Sequence, residues 1–267
     1  MTLDPRLAFP RGAGIAALAW RARALSPSGA VAAAAVGAAT LWGTGWWGGA
    51  ILLTFFVGST LVSRACPDPA AERGEAKGGR RDAGQVLANG GAPALGALLG
   101  LVDPAIGVWA LTVGLAAAAA DTWATSLGGT SPAPPRHLLT WRPVPPGTSG
   151  GISWRGSLGG ILGAASVALA GLGATGDLRL LGAATLYGTA GMLLDSLLGA
   201  TLQGRFRCDA CDLPTERRVH ACGATTRRVG GLRWLGNDGV NAVATLLATL
   251  AGSTNAALIG AMTYYQR

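Results

Sequence analysis

Residues 121–151 read DTWATSLGGTSPAPPRHLLTWRPVPPGTSGG. Asp121 ends an uncharged run of seventeen residues, 104–120. Two clusters of small residues follow, Gly128-Gly129-Thr130-Ser131 and Gly147-Thr148-Ser149-Gly150-Gly151. Arg136, His137 and Arg142 lie between them, with no acid. A carboxylate at the end of an apolar run, glycine-rich turns and fixed positive charge are the parts that hold a phosphate and its metal against a bilayer. A chain that only spans a membrane has no use for them.

Composition sets the class. The 267 residues are 50% hydrophobic and 13% charged, about half the charge of an ordinary soluble domain. Mean hydropathy is +0.39. The 43 glycines fall largely inside apolar runs, where small residues let transmembrane backbones approach. The expected fold is all-α and polytopic, one integral membrane domain over 1–267. A net charge of +8 suits basic loops facing anionic headgroups. No groove-reading module accompanies it, so nucleic acid is not an expected partner. No cleavable signal peptide is expected either, because Arg6, Pro10 and Arg11 break the N-terminal segment.

The apolar runs give the span count. Leu7 to Trp20 is a weak segment, interrupted by Arg11. Residues 24–63 carry no charge. That is room for two spans of about 20 residues, with the turn at Gly43 to Gly49. Further uncharged runs cover 83–102, 104–120, 156–176, 180–203 and 239–266; only Asp195 lies inside the fourth, and Gly252 to Asn255 interrupt the last. The reading is seven spans (six to eight), with the first segment lying on the membrane. Polar loops at 64–82, 128–155 and 205–233 hold five, three and seven basic residues. Two spans separate each loop from the next, so all three face one side. The positive-inside rule makes that side the cytoplasm, and the chain an integral protein of the cell's inner membrane.

Asp121 and Asp195 sit at the edge or in the interior of apolar runs, and Asp82 and Asp238 at the starts of others. A carboxylate in hydrocarbon costs about 3 kcal/mol on insertion scales, so it pairs or binds a cation. An acid at a helix start is also the ordinary partner of the helix dipole. Polar stripes accompany these acids: Asp121 with Thr125, Asp195 with Gln203, Asp238 with Asn241, and Asp82 with Gln85 and Asn89. Four such stripes can line one cavity whose hard oxygen ligands suit Mg²⁺ shared with substrate phosphates. Gly147, Thr148, Ser149, Gly150 and Gly151 offer a backbone cradle for phosphate. Arg136, Arg142, Arg155, Lys77, Arg80 and Arg81 are the accompanying cations.

Residues 204–236 form a Cys/His-rich insertion. Cys208-x2-Cys211 followed by His220-x-Cys222 is a knuckle with a second ligand pair, the spacing of a structural zinc site. A disulfide is the rival pairing, disfavoured in a reducing compartment. Cys66 is left over as an inert thiol.

Six stretches carry a resemblance. They are Phe55-Phe56-Val57-Gly58-Ser59 to Arg64, RRDAGQVLANGG (80–91), DTWATSLG (121–128), TWRPVPPGTSGGIS (140–153), DSLLGATLQ (195–203) and NDGVNAVATLL (237–247). In this order, over residues 24–255, they resemble the transmembrane-protein-19-like family, domain of unknown function 92. That family includes the plant phytyl-phosphate kinase of vitamin E synthesis. The resemblance implies transfer of a phosphoryl group from a nucleoside triphosphate, CTP among the candidates, to a phytyl or other prenyl monophosphate.

On that implication Asp121, Asp195, Arg142 and Arg81 are the catalytic group. Asp82, Asp121, Asp195 and Asp238 are the Mg²⁺ ligands. Lys77, Arg80, Asn89, Arg136, Gly147 to Gly151 and Asn241 bind substrate phosphate. Partners are a nucleoside triphosphate, a prenyl-phosphate lipid, the bilayer and, as an open expectation, a second copy of the chain. Two other readings stand beside it: an ion-coupled transporter, and a CDP-forming prenyl-lipid transferase. The transporter needs a polar path through both halves of the membrane, whereas nearly all ionisable residues lie on one side. The transferase lacks its D-x-x-D-G-x-x-A-R arrangement here.

Overall fold

The computed structural model describes residues 2–66, 80–215 and 218–265. They form seven α-helices and two small sheets. The helices are α1 (Pro5–Arg21), α2 (Pro27–Ala65), α3 (Ala83–Leu98), α4 (Pro104–Gly129), α5 (Trp154–Thr175), α6 (Leu178–Thr201) and α7 (Asn237–Tyr265). Five of them, α2, α4, α5, α6 and α7, are long and apolar enough to cross a membrane. A 3₁₀ turn, Leu99–Leu101, extends α3.

α2 is two arms. Gly45 breaks it with φ 64° and ψ −154°, a left-handed position that favours glycine. The far end of the 39-residue element returns to the turn between α1 and α2, where the Arg64 guanidinium donates to the Ala22 carbonyl at 2.9 Å. The sequence places the turn across Gly43 to Gly49. The structure needs only one non-helical residue, and its neighbours remain helical.

α4 is the axis of the bundle. Every residue from Trp109 to Ala120 is buried, against α2, α3, α5, α6 and α7. A helix enclosed on all sides leaves little radial space, so alanine fills it and its neighbours turn glycines toward it. A Cβ on Gly163 would stand 2.7 Å from the Ala119 carbonyl, and one on Gly191 2.7 Å from the Ala117 Cβ. The helix also continues past Asp121 for two more turns, so Gly128 and Gly129 belong to its last turn and not to a loop. In the same way α7 runs unbroken through Gly252 to Asn255, and Asn255 donates to the Tyr187 hydroxyl at 2.7 Å. These small polar residues satisfy themselves against the preceding turn or a neighbour, so they do not end the helix.

α1 does not lie flat on the bundle. Its start reaches Trp42, where the Leu3 amide donates to the Trp42 carbonyl at 3.3 Å. Its middle packs Gly12 against Ala34 and Ala38. It therefore runs antiparallel along the whole first arm of α2. Arg11 is accommodated by capping the Leu7 carbonyl and lying over the Trp46 ring, 5.2 Å from its centroid.

Two ends result. At one, Asp103 caps α4 through the amides of Ala105 and Ile106, and Asp177 caps α6 and pairs with Arg179. At the other, Ser63 meets Ser126, Gly84 meets Asp238 and Gly150 meets Ala200. The described residues flanking the three charged loops lie at this second, basic end.

Gly43 tests the close packing at the first end. A side chain there would overlap the Ala97 backbone carbonyl. Gly43→Val is expected to cost about 1–3 kcal/mol, read as a melting temperature several degrees lower in detergent. Gly14→Ala, with open space around it, should leave the melting temperature unchanged.

Candidate functional site

The acids converge at the basic end. α4 and α6 pack through Gly191 on Ala117. One turn further along both helices, the Asp121 and Asp195 carboxyl groups come within hydrogen-bonding reach of each other. α7 joins at the same depth, because Gly191 also faces Ala248. Toward the basic end α7 then presents Thr245, Asn241 and Asp238. Thr245 donates to the Ala88 carbonyl of α3 at 2.7 Å, tying the two helices together. Asp238 stands over the start of α3: a Cβ on Gly84 would lie 2.6 Å from an Asp238 carboxylate oxygen and 3.3 Å from Asp82 Oδ1. Four carboxylates from four helices thus form two neighbouring pairs, Asp121 with Asp195 and Asp82 with Asp238. Carboxylates this close repel when both are ionised, and a cation between them removes the repulsion.

Asp82 has a second duty. Its Oδ1 accepts from the Gln85 amide at 2.9 Å while the Gln85 side chain accepts from the Asp82 amide at 3.1 Å. This capping box starts α3, so Gln85 and one Asp82 oxygen serve the helix. Asn241 differs: it is buried, and its Oδ1 has no hydrogen-bond partner among the described residues. So does the Nε2 donor of Gln203, itself buried. An unsatisfied buried polar atom costs about 1–3 kcal/mol, and a bound ligand is one way to recover it.

The glycine loop packs beside this site but is not an open cradle. Ser149 and Gly150 lie against Gly199 and Ala200, one turn past Asp195 on α6. Gly147 and Gly150 take φ 81° and 77°, which tightens the loop. The Thr148 and Gly151 amides are spent on the loop's own carbonyls, Pro145 and Thr148. The start of α5 is capped by Ser153 on the Gly156 amide at 3.1 Å. The helix terminus is thus closed by its own serine.

The cations are spread out. Strands β1 (Arg136–His137) and β2 (Gly151–Ile152) form the smaller sheet. Its arginines face outward: Arg136 donates to the Trp141 carbonyl at 2.9 Å, and Arg142 is exposed. Arg155 is engaged with the Thr130 carbonyl at 2.8 Å. Arg80 is exposed too, and Lys77 lies outside the described residues. Arg81 alone of these turns inward, over the Phe55 and Phe56 rings at 5.8 and 5.6 Å. The sequence carried no signal for that stacking beyond two adjacent aromatics on another segment.

The insertion after α6 is a three-stranded sheet, β3 (Arg205–Cys208), β4 (Pro214–Thr215) and β5 (Thr226–Gly230), in the order β4-β3-β5. Its turns bring Cys208, Cys211, His220 and Cys222 together, with one ligand atom from each within 4.8 Å of all the others. Cys208 Sγ lies 3.6 Å from Cys222 Sγ, and His220 Nδ1 3.1 Å from the same sulfur. No disulfide forms among the described residues. Bonds of about 2.3 Å to one ion put ligand sulfurs within about 4.6 Å, so the cluster fits a metal. The thiols behave as competitors for charge. The His220 ring pulls Cys222 down to about 6, and the Cys222 contact, with burial, pushes Cys211 up to about 11. A bound cation lets all three thiolates coexist. The insertion's acids are engaged by Arg207 and Arg227, through Asp212 and Asp209. Arg218, Arg228 and Arg233 line a concavity with Phe206 and Thr226 beside the cluster.

A family profile described as integral membrane protein DUF92 matches residues 12–249. Protein PGR of Arabidopsis thaliana is 31% identical over 234 residues, covering 77% of this chain and 80% of that protein. An uncharacterized membrane protein of Methanocaldococcus jannaschii, MJ0933, is 34% identical over 186 residues, covering 68% of this chain and 76% of its own length. No solved structure matches.

Metal analysis checks the Cys/His cluster. Purified protein should carry about one metal ion per chain, lost in Cys208→Ser. Protein prepared without chelators and free of metal would rule the cluster out as a metal site.

Proposed function

The chain belongs to the DUF92 family of integral membrane proteins, and on that premise we propose that it is a Mg²⁺-dependent kinase of isoprenoid monophosphates. The observation that carries the reading is the meeting of Asp121 and Asp195, with Asp82 and Asp238 paired further toward the same basic end of the bundle. Acids are costly at membrane depth, and four of them gathered at one end call for a cation. The opposite end spends its acids on helix caps and on Arg179. This one-sidedness favours chemistry at a surface over passage through the bundle.

The residues fit the reaction as follows. Transfer between two polyanions needs positioning and neutralisation of charge more than covalent catalysis. Asp121 and Asp195, with Asp82 and Asp238, would hold Mg²⁺, which would supply neutralisation of the nucleotide's phosphate charge. Arg81, turned inward beside Asp82, orients the monophosphate of the lipid. Asn241 and Gln203 supply an acceptor and a donor that have no partner within the described residues. An oxygen of the lipid phosphate attacks the terminal phosphorus of the nucleoside triphosphate. The bond from that phosphorus to the bridging oxygen breaks, and the nucleoside diphosphate leaves. The attacking group is already ionised at neutral pH, so no strong base is required. Ser149 to Gly151, packed one turn past Asp195, border the nucleotide side of the site, and CTP is the first donor to try. Zn²⁺ suits the Cys₃His cluster because four protein ligands close its tetrahedron. The ion's part would be structural, holding the arginine-rich insertion, Arg218, Arg228 and Arg233 included, in one shape. The basic end faces the cytoplasm, where nucleotides are.

The assay is direct. Purified protein is given geranylgeranyl or phytyl phosphate, Mg²⁺ and each of CTP, GTP, ATP and UTP. Formation of the prenyl diphosphate is the expected product. Asp121→Asn and Asp195→Asn should lower turnover by roughly 100-fold or more, the scale for losing a group that neutralises developing charge, with the melting temperature retained. No diphosphate with any pair, or full activity in both variants, overturns the reading.

A further inference from the structure

A narrow cavity of about 80 Å³ opens between α1, both arms of α2 and the first half of α3. It is lined along its length by small and aliphatic side chains, Ile15, Ala16, Val36, Leu41 and Leu52 among them, and by glycines at 12, 37, 49 and 90. Arg81, Gln85 and Asn89 are its polar residues. All three are on the segment that opens α3, so the polarity is confined to the basic end. From Ala33 to Leu41 the wall runs about 12 Å, at 1.5 Å per helical residue.

We propose that this cavity holds the hydrocarbon tail of an isoprenoid phosphate, with the Arg81 guanidinium receiving its phosphate at the mouth and α1 forming the outer wall. The inference rests on the kinase reading for its substrate class, but the binding site is a separate claim. Three observations carry it.

The first is the state of Arg81. Its backbone is pinned on both sides, its amide donating to the Ala24 carbonyl at 3.1 Å and its carbonyl accepting from the Ser26 amide at 3.0 Å. Gly29 lets that backbone come close, since any Cβ there would overlap the Arg81 carbonyl. The side chain is held over Phe55 and Phe56 and meets no carboxylate among the described residues. Burial lowers the guanidinium to about 10, so it stays charged at neutral pH. A desolvated cation facing an apolar cavity is suited to an anionic head on an apolar body.

The second is the texture of the wall. Glycines and alanines alternating with Ile, Val and Leu leave notches, and the methyl branches of an isoprenoid fill notches that a straight acyl chain leaves empty. The third is position. Asp82 follows Arg81 directly and lies beside Asp238 across Gly84. A phosphate on Arg81 is therefore delivered next to the carboxylates. The reading also gives a role to α1, whose broken hydrophobicity otherwise has none.

The experiment is photolabelling with a geranylgeranyl-phosphate analogue carrying a diazirine at the tail end, followed by peptide mapping. Label is expected on α1 and on the first arm of α2, competed by geranylgeranyl phosphate. It should fall roughly tenfold to a hundredfold in Arg81→Met, the scale for a charged hydrogen bond. Ala16→Phe should weaken geranylgeranyl phosphate about tenfold and leave geranyl phosphate unchanged. Ala19→Phe, nearer the mouth, serves if that variant does not fold. Label spread over α5 and α6, equal competition by phosphatidic acid, or labelling indifferent to Arg81→Met overturns the tail site. The readout needs no turnover. Label in the cavity without diphosphate product leaves the tail site standing and the kinase reading fallen; diphosphate product with label elsewhere does the reverse.

Discussion

The structure depends on one constraint, that the axial helix α4 must be enclosed by other helices for three turns and carry a carboxylate directly after them. Trp109 to Ala120 have no exposed surface to spare, and Asp121 follows at once. Enclosure demands small side chains, and those bring five helices close. Closeness then delivers Asp195 from α6 to Asp121, and further toward the basic end α7 and α3 bring Asp238 and Asp82 together. The alanines and glycines are thus not filler around a site. They set the separation between helices at which acids from different segments can share a cation. A bulkier α4 would push α6 outward and separate Asp195 from Asp121 before it affected any residue with chemistry.

The two metal-suited regions differ in what holds them. The Cys/His cluster is built from local turns, with Cys208 and Cys211 on one turn and His220 and Cys222 on another. A sheet of only eleven residues supports it. Such a small unit gains much of its stability from a bound ion. The carboxylate pairs instead come from helices far apart in sequence, and the bundle holds them whether or not an ion is present. Loss of metal should accordingly disorder the insertion and leave the bundle intact.

How far the sequence was legible follows from the same distinction. The spans were readable because hydrocarbon imposes length and apolarity on each run, and the Cys/His cluster because its ligands are close in sequence. Asp121 and Asp195 stood out as acids in apolar surroundings, but nothing local in either run says that they touch. The glycine loop was ambiguous for a physical reason: glycine and serine serve ligand cradles and tight turns equally well, and here the Thr148 and Gly151 amides close the turn. The exposed position of Arg142 and Arg136 was hidden as well, since a basic residue in a loop reads the same whether it faces a site or water. Arg81 looked like one cation among several, and only tertiary structure turns it inward over Phe55 and Phe56.

The first segment shows how a weak sequence signal can have a structural reason. Pro10, Arg11 and Gly12 make α1 a poor independent span, and the sequence alone favoured laying it on the membrane surface. In the structure it leans on the first arm of α2 along its length. Gly12 lets the backbones meet at Ala38, and Arg11 reaches the Trp46 ring. A helix stabilised by a neighbour needs less hydrophobicity of its own, because part of its surface never faces lipid. The same helix is the least enclosed wall of the cavity, with Leu7, Phe9, Leu18 and Trp20 exposed on its outer side. Of the walls around that cavity, α1 is held mainly by α2, whereas α2 and α3 are also packed on α4. A lipid substrate entering from the bilayer would therefore displace α1 at least cost, and its phosphate would meet Arg81 at the end of the bundle where the carboxylates are gathered.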